Sequence, residues 1–437
     1  MKRILMWMLT LIGILVLGCW AYLSYRESDS KHGLVHAQSH AVIEVSIDGI
    51  LGAIARNAML NPGTYYKGRR SIESDSAGLG IAQSGWNFPA NVFLFSLEEM
   101  PHRFFSVQSI GNSKQFTQYI KQQFSKSSDT LIQGQKLQYG LSEDRRFAVL
   151  FDEQQFVLSL GVDQKQHWEI MANWLAGKEK TLVEVSSLSL DGFKNGKSDI
   201  TYLNMVDQTR LAVTFRNGRI DFEGDVKSPS IIGVRDATAR QLDTTSVLYG
   251  WLNADLRPLF RGYSEALLKY DVNADSLAKY YGGYVDVQWK SDLVKQSDTI
   301  VTYDLDENFE MTEKMERREV EVPHLNLVVK ASPHLAGYLP EKMFYKFKKS
   351  VSGDLIALNT GPQMIMEDKR AASPYYGYLY AKLDKALPIF MPNREGIDWE
   401  RFQVLEIGMS RGVQGESVIT GKCILRDAAI HALYQLL

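Results

Sequence analysis

The chain reads as an α+β protein in which an N-terminal transmembrane helix leads into two halves related by duplication, each an antiparallel sheet with helices on one face. Three observations predict this. Lys2 and Arg3 precede an apolar run from Ile4 to Leu23, and twenty residues at ~1.5 Å rise span the ~30 Å hydrocarbon core of a bilayer. From residue 41 onward, short runs of alternating apolar and polar residues recur between Gly, Pro, Asn and Asp, with amphipathic segments among them. That alternation fits half-buried antiparallel strands with segregated helices better than a parallel βαβ array. Third, SVLYGWLNADLRPLF (Ser246–Phe260) aligns without gaps on YGYLYAKLDKALPIF (Tyr376–Phe390), Pro258 on Pro388 and Phe260 on Phe390. AVIEVSIDGILGAIA (Ala41–Ala55) repeats the same strand–polar–helix order more loosely. Duplication is one account of this recurrence; chance repetition of strand-then-helix units is the other.

The N-terminus divides into a cytoplasmic tip (1–3), an anchor (4–23) and a tether (24–40). Trp20, Tyr22 and Tyr25 suit an interfacial aromatic belt. A short basic start before the apolar run, with a large domain after it, is the layout of a signal anchor. It places the chain in the inner membrane through residues 4–23, with its C-terminal domain exported to the periplasm. A lipoprotein acylated at Cys19 is the alternative, from the loose lipobox Val16-Leu17-Gly18-Cys19, although Leu17 is large where a small residue is usual. A cleaved signal peptide fits less well, because the apolar core is long and Val35-His36-Ala37 lies well past it.

The first half (41–226) opens with a strand at Ala41–Ile47 and a short helix at Asp48–Asn57, capped by Asp48 and broken at Asn61-Pro62-Gly63. Residues 64–86 form a loop, and strands return at Val92–Leu97 and Phe104–Ile110. A helix at Lys114–Phe124 follows Ser113, with Phe116 and Ile120 on one face. Phe147–Phe151 and Phe156–Leu160 make a hairpin, followed by a helix with Trp168, Met171, Trp174 and Leu175. Leu211–Phe215 and Ile220–Phe222 flank Asn217-Gly218, the preferred type I′ pair.

A polar linker (227–245) precedes the second half (246–437). There the pattern predicts a strand at Ser246–Leu252 and a helix at Asp255–Leu268 interrupted by Pro258. Strands follow at Tyr284–Lys290, Thr299–Asp304, Phe309–Met311 and Val320–Val329. A helix around Leu339–Lys349 then leads to strands at Leu355–Leu358, Phe402–Met409 and Ser417–Leu425, and a closing helix from Asp427.

Composition narrows the function. With 49 basic and 51 acidic residues and a net charge of -2, no nucleic-acid partner is expected. Cys19 and Cys423 are the two cysteines; a zinc or thiol-redox site lacks partners, and Cys423 reads as a buried small hydrophobe. His32, His36 and His40 stand four apart, but Gly33 weakens any shared helix and the strand at Ala41 follows at once. Asp304–Asn308 starts like a calcium loop, yet Phe309 and Met315 stand where Gly and Glu are needed. G-x-S-x-G, H-E-x-x-H and the phosphate loop are absent from the sequence, and Ser28-Asp29-Ser30-Lys31 lies in the tether. Two aromatic clusters, Tyr280-Tyr281-Gly282-Gly283-Tyr284 and Pro374-Tyr375-Tyr376-Gly377-Tyr378, read either as strand packing or as a surface for a glycan or protein.

Ser76-Ala77-Gly78-Leu79-Gly80, Tyr303–Glu310 and Ser352-Gly353-Asp354-Leu355, taken with the anchor, resemble uncharacterised membrane-anchored or lipoprotein envelope proteins of Bacteroidota, whose function is unknown. That resemblance implies no site residues. The expected function is a non-enzymatic binding or scaffold role in the cell envelope, with a protein partner. A lipid- or glycan-binding groove between the halves and a hydrolase with a dispersed site are the alternatives. No catalytic, metal-binding or cofactor-binding residue is assigned, and no cofactor is expected.

Overall fold

The computed structural model describes residues 17–18, 20–65, 80, 83–177, 181–188, 198–227, 233–234, 236–305, 311–362, 369–390, 398–413 and 415–436. It divides into two compact units. Unit 1 comprises residues 1–218 and 429–437, and unit 2 residues 219–428.

Unit 1 contains β1 (Leu34–His36), β2 (Ala41–Ser46), α1 (Ile47–Leu60), β3 (Asn91–Leu97), β4 (Met100–Ser109) and α2 (Ser113–Gln123). After these come β5 (Lys126–Ile132), β6 (Gln135–Leu141), β7 (Phe147–Phe151), β8 (Gln155–Gly161), α3 (Trp168–Leu175), β9 (Leu182–Glu184), β10 (Ile200–Asn204) and β11 (Arg210–Arg216). The strands pair antiparallel in the order β5-β6-β7-β8-β4-β3-β2-β10-β11, and β1 bridges β9 and β4.

Its sheet is buried on both sides where β7 and β8 run. Leu150 and Val157 join the core of Phe95, Phe105, Met171 and Trp174 under α3. Val149, Phe151 and Phe156 face the other way and meet Phe116 and Ile120 of α2. A strand that is apolar on both faces demands a cover on each, so the expectation of helices on one face is wrong here. The segment read as a tether is structured: residues 20–30 are helical, Arg26 pairs with Asp48 at 2.8 Å, and β1 joins the sheet. Asp48 thus sits in the first turn of α1 and serves Arg26 rather than capping. A short C-terminal helix, Ala432–Leu436, belongs to this unit. Buried Asn57 of α1 holds it, donating to the Ala429 carbonyl at 2.8 Å and accepting from the His431 amide at 3.0 Å.

Unit 2 contains β12 (Arg219–Val226), β13 (Thr238–Arg240), β14 (Leu248–Asn253), α4 (Arg257–Gly262), α5 (Ser264–Leu268), α6 (Ala274–Tyr280), β15 (Tyr281–Leu305) and β16 (Met311–Ala331). It continues with β17 (Lys348–Ser352), β18 (Leu355–Asn359), β19 (Arg370–Ala372), β20 (Gly377–Lys382), α7 (Leu383–Phe390), β21 (Phe402–Arg411) and β22 (Ser417–Leu425). The antiparallel order is β12-β22-β21-β20-β14-β15-β16-β18-β17, and β13 pairs with β19 as a separate two-stranded ribbon. Leu327, Val329, Ile356 and Leu358 pack one face against the 3-10 turn Pro333–Gly337 and α6.

Three expectations change in this unit. The strands predicted separately between 284 and 329 are one hairpin, and from Leu293/Pro323 to Leu305/Met311 its two strands pair with each other alone among the described residues. At ~3.3 Å per residue that ribbon is roughly 40 Å long. The helix expected at Leu339–Lys349 is instead irregular chain leading into β17. The aligned segments SVLYGWLNADLRPLF and YGYLYAKLDKALPIF are β14–α4 and β20–α7, antiparallel neighbours in one sheet. Their likeness is that of adjacent strands under the same face constraints, so they are not equivalent positions in two halves.

The membrane-spanning helix is likewise not found. Among the described residues no helix is long and apolar enough to cross a bilayer. Most of the apolar run, residues 4–16, and Cys19 lie outside those residues. Cys423 in β22 is 5% exposed, and burial pushes its thiol up to about 11. The Cys19→Ser protein should therefore resist a disulfide reagent at pH 8 and release one thiol equivalent on unfolding. Labelling of the native protein within minutes would refute that burial.

Candidate functional site

The alternation of β14 and β20 builds an aromatic ladder. Tyr249 and Trp251 are two apart on β14 and share a face; their cross-strand partners on β20 are Tyr380 and Tyr378. Tyr249 and Tyr380 stack with centroids 5.0 Å apart and planes 23° apart; Trp251 and Tyr378 stack at 4.7 Å and 23°. Tyr375, in the loop before β20, adds to the column at 5.8 Å from Tyr378. The indole N–H of Trp251 is shielded from solvent and meets no acceptor among the described residues.

Beside the ladder, the same face of the sheet is polar, and the β13–β19 ribbon is fastened to it. Tyr284 and Asp286 of β15 lie opposite Asn253 and Trp251. Arg240 of β13 donates through Nε and Nη2 to Asp286 at 2.7 and 2.9 Å, with the two side chains 4% and 0% exposed. The Arg240 amide donates to Tyr284 Oη at 3.1 Å, and Asn253 donates to the Thr238 carbonyl at 2.7 Å. On β19, the Arg370 guanidinium lies over the Tyr284 ring at 5.4 Å.

The ribbon and one end of the ladder border an open cleft of about 470 Å³, within the ~300–1,000 Å³ range of small-ligand sites. Trp251, Tyr375 and Tyr378 supply its rings; Arg240, Gln241, Lys369, Arg370 and Ser373 supply its polar groups. Next to it, Tyr378 donates to Glu406 at 3.1 Å, and Lys422 pairs with the same carboxylate at 2.8 Å. Burial first, then the neighbouring Tyr249 and Glu406, hold the Tyr378 phenol above its ordinary range. The Lys422 ammonium holds the Glu406 carboxyl below its own. Tyr378 is thus a protonated donor fixed by an ionised partner.

The two aromatic clusters have different fates. Tyr281 and Tyr284 are buried, Tyr281 donating to the Ala254 carbonyl at 3.0 Å, so that cluster is packing. From Pro374–Tyr378, Pro374, Tyr375 and Tyr378 line the cleft while Tyr376 is buried. Trp251 and the cations of the ribbon carried no local sign in the sequence. The three spaced histidines do not converge: His32 meets Glu184 at 3.0 Å, His36 ends β1, and His40 precedes β2. Among the described residues no group of three or more His, Cys, Asp or Glu is placed to hold a metal ion. The calcium-like stretch runs off the end of β15, with residues 306–310 outside those described. A larger hollow of about 790 Å³ lies in unit 1 against the β5–β6 hairpin and the start of α3. Its rings, Tyr139 and Trp168, are tilted at 57° rather than stacked, and its ionisable side chains other than Tyr139 are one histidine and one acid, His167 and Glu169.

No family model matches the chain, and no curated protein sequence does. A solved structure, crystal form IV of TP0453, matches over 76% of this chain and 89% of its own length, at 10% identity and a TM-score of 0.21.

Proposed function

We propose that the protein is a non-enzymatic saccharide-binding protein whose site is the Trp251–Tyr378–Tyr375 cleft of unit 2. The observation that carries this reading is the stacked Trp251–Tyr378 pair, with Tyr375 tilted beside it, bordered by hydrogen-bonding groups. A sugar ring has apolar C–H faces and a polar edge, so it needs an aromatic surface and donors and acceptors around it. The site offers both, with Gln241, Ser373 and Arg370 at its border. Export, expected from the basic start and apolar run of the N-terminus, would place the cleft among envelope polysaccharides.

A glycan microarray probed with the full chain should show saccharide ligands. Trp251→Ala should weaken the best of them at least tenfold while the near-ultraviolet spectrum of the remaining aromatics is retained, because aromatic contacts dominate such sites. An array without any bound saccharide, or undiminished binding by folded Trp251→Ala, would sink the proposal.

A further inference from the structure

We propose that the C-terminal segment, residues 429–436, is an acid-released latch on unit 1, docked while the His431 imidazole is neutral and released when it takes up a proton. The main chain of the segment is well held. Besides the two bonds to Asn57 of α1, the Ile430 carbonyl accepts from the Gly218 amide at 2.8 Å, and His431 bridges to Asn217 just after β11. The side chain of His431 is held otherwise. It is 1% exposed, and neither ring nitrogen has a hydrogen-bond partner.

A neutral imidazole without partners leaves one donor and one acceptor unmet, whereas an imidazolium leaves two donors and a full charge. The second is the costlier to bury. Undocking the segment gives the ring to water and removes that penalty. The charged group acting on the ring is the carboxylate of Asp199, just before β10, which is buried and accepts from the Phe215 amide of β11 at 2.6 Å. Arg216 of β11 acts on that carboxylate in turn, and α1 presents the uncharged Asn57.

Burial lowers the imidazole below its ordinary range, against the opposing pull of Asp199 and then of the Phe215 main chain. A histidine depressed in the folded state stabilises that state fully above the free-imidazole range. The contribution is lost as the pH falls through the folded value. Asp199, raised by burial, works with the opposite sign: taking up its own proton favours the docked form. The release is therefore read between about pH 7.5 and about pH 5.5, on either side of the free imidazole.

Hydrogen exchange on the full chain, corrected for the intrinsic pH dependence of exchange, tests the latch. Peptides from 429–436 should lose roughly tenfold in protection over that interval, the factor expected when a buried group is left unpaired. Peptides from β7 and β8 in the core should keep theirs. Glu44 of β2, pushed up to about 7 by burial, titrates in the same interval, so His431→Phe supplies the assignment and should abolish the acid loss at 429–436. Histidine-selective NMR of the unaltered protein is the second measure: the loss should track the His431 imidazole, titrating below its ordinary range. Protection that does not change with pH, or an acid loss shared equally by β7 and β8, would overturn the latch. So would a loss that persists in folded His431→Phe, or one that does not follow the imidazole.

Discussion

Arg240→Met is expected to lower the unfolding free energy of unit 2 by about 3–5 kcal/mol, the usual consequence of leaving a buried charge unpaired. The Asp286 side chain is fully buried and its carboxylate receives both Arg240 nitrogens. Methionine fills comparable space but donates nothing, so Asp286 must either remain ionised without its counter-charge or take up a proton. Asp286→Leu should also destabilise unit 2, because it removes the acceptor of both guanidinium nitrogens. The double replacement should recover most of the loss, because two apolar side chains of similar volume escape the desolvation penalty. Urea denaturation of the four proteins gives the coupling. Single variants within 1 kcal/mol of the parent would show that the pair is not the fastener described. Because Arg240 anchors β13 over Tyr284 and Asp286, the single variants should also bind saccharide more weakly. The double variant separates loss of the charge from loss of the ribbon's position.

Gly85→Ala should destabilise unit 1 by about 3 kcal/mol or more, combining left-handed backbone strain with displacement of neighbouring main chain. Gly85 has φ +75°, and a Cβ there would lie 2.3 Å from the Asn112 carbonyl oxygen and 2.8 Å from the Phe116 nitrogen. Both are main-chain atoms at the start of α2, and neither can rotate away. The Gly85 carbonyl itself accepts from the amides of Gly111 and Asn112 at 2.9 Å, which ties this loop to the helix start. Gly134 is the control: it has φ +80° in the β5–β6 turn, with nothing within 4 Å of a built Cβ. Gly134→Ala should therefore cost only the conformational strain, ~1–2 kcal/mol. Equal denaturation midpoints for the two variants would mean that the contact with α2 contributes nothing.

What the sequence disclosed follows from how far apart the decisive residues lie. A strand whose faces differ, such as Ser417–Leu425, is legible because alternation is local. Tyr375 and Tyr378 stood out as a cluster, but Trp251 becomes their partner only through the pairing of β14 with β20, a register that no local pattern states. Arg240 and Arg370 were hidden for another reason. They lie in three-residue strands, too short for periodicity, and Arg240 fell within a stretch that reads as a linker. The mistaken helix at Leu339–Lys349 has a similar origin. Leu339, Met343 and Phe347 recur every four residues and imitate a helical face, whereas the structure buries Leu339 and Phe347 in irregular chain against Leu335 and Ile356. β7 is an unbroken apolar run, Phe147–Phe151, and the cover that its burial on both faces requires explains why a single helical layer was the wrong expectation.

The path of the chain through unit 1 sets an order of events during synthesis. Residues 1–218 leave the ribosome first, but the segment that Asn57 holds, at Ala429 and His431, is made only after all of unit 2. At ~5–20 residues per second, that interval is roughly 10–40 s. Throughout it the carboxamide of Asn57, 2% exposed in the finished protein, waits without the main-chain groups of Ala429 and His431. The earlier-born unit is the later one to be completed, and its closure reports that the intervening unit has been made in full.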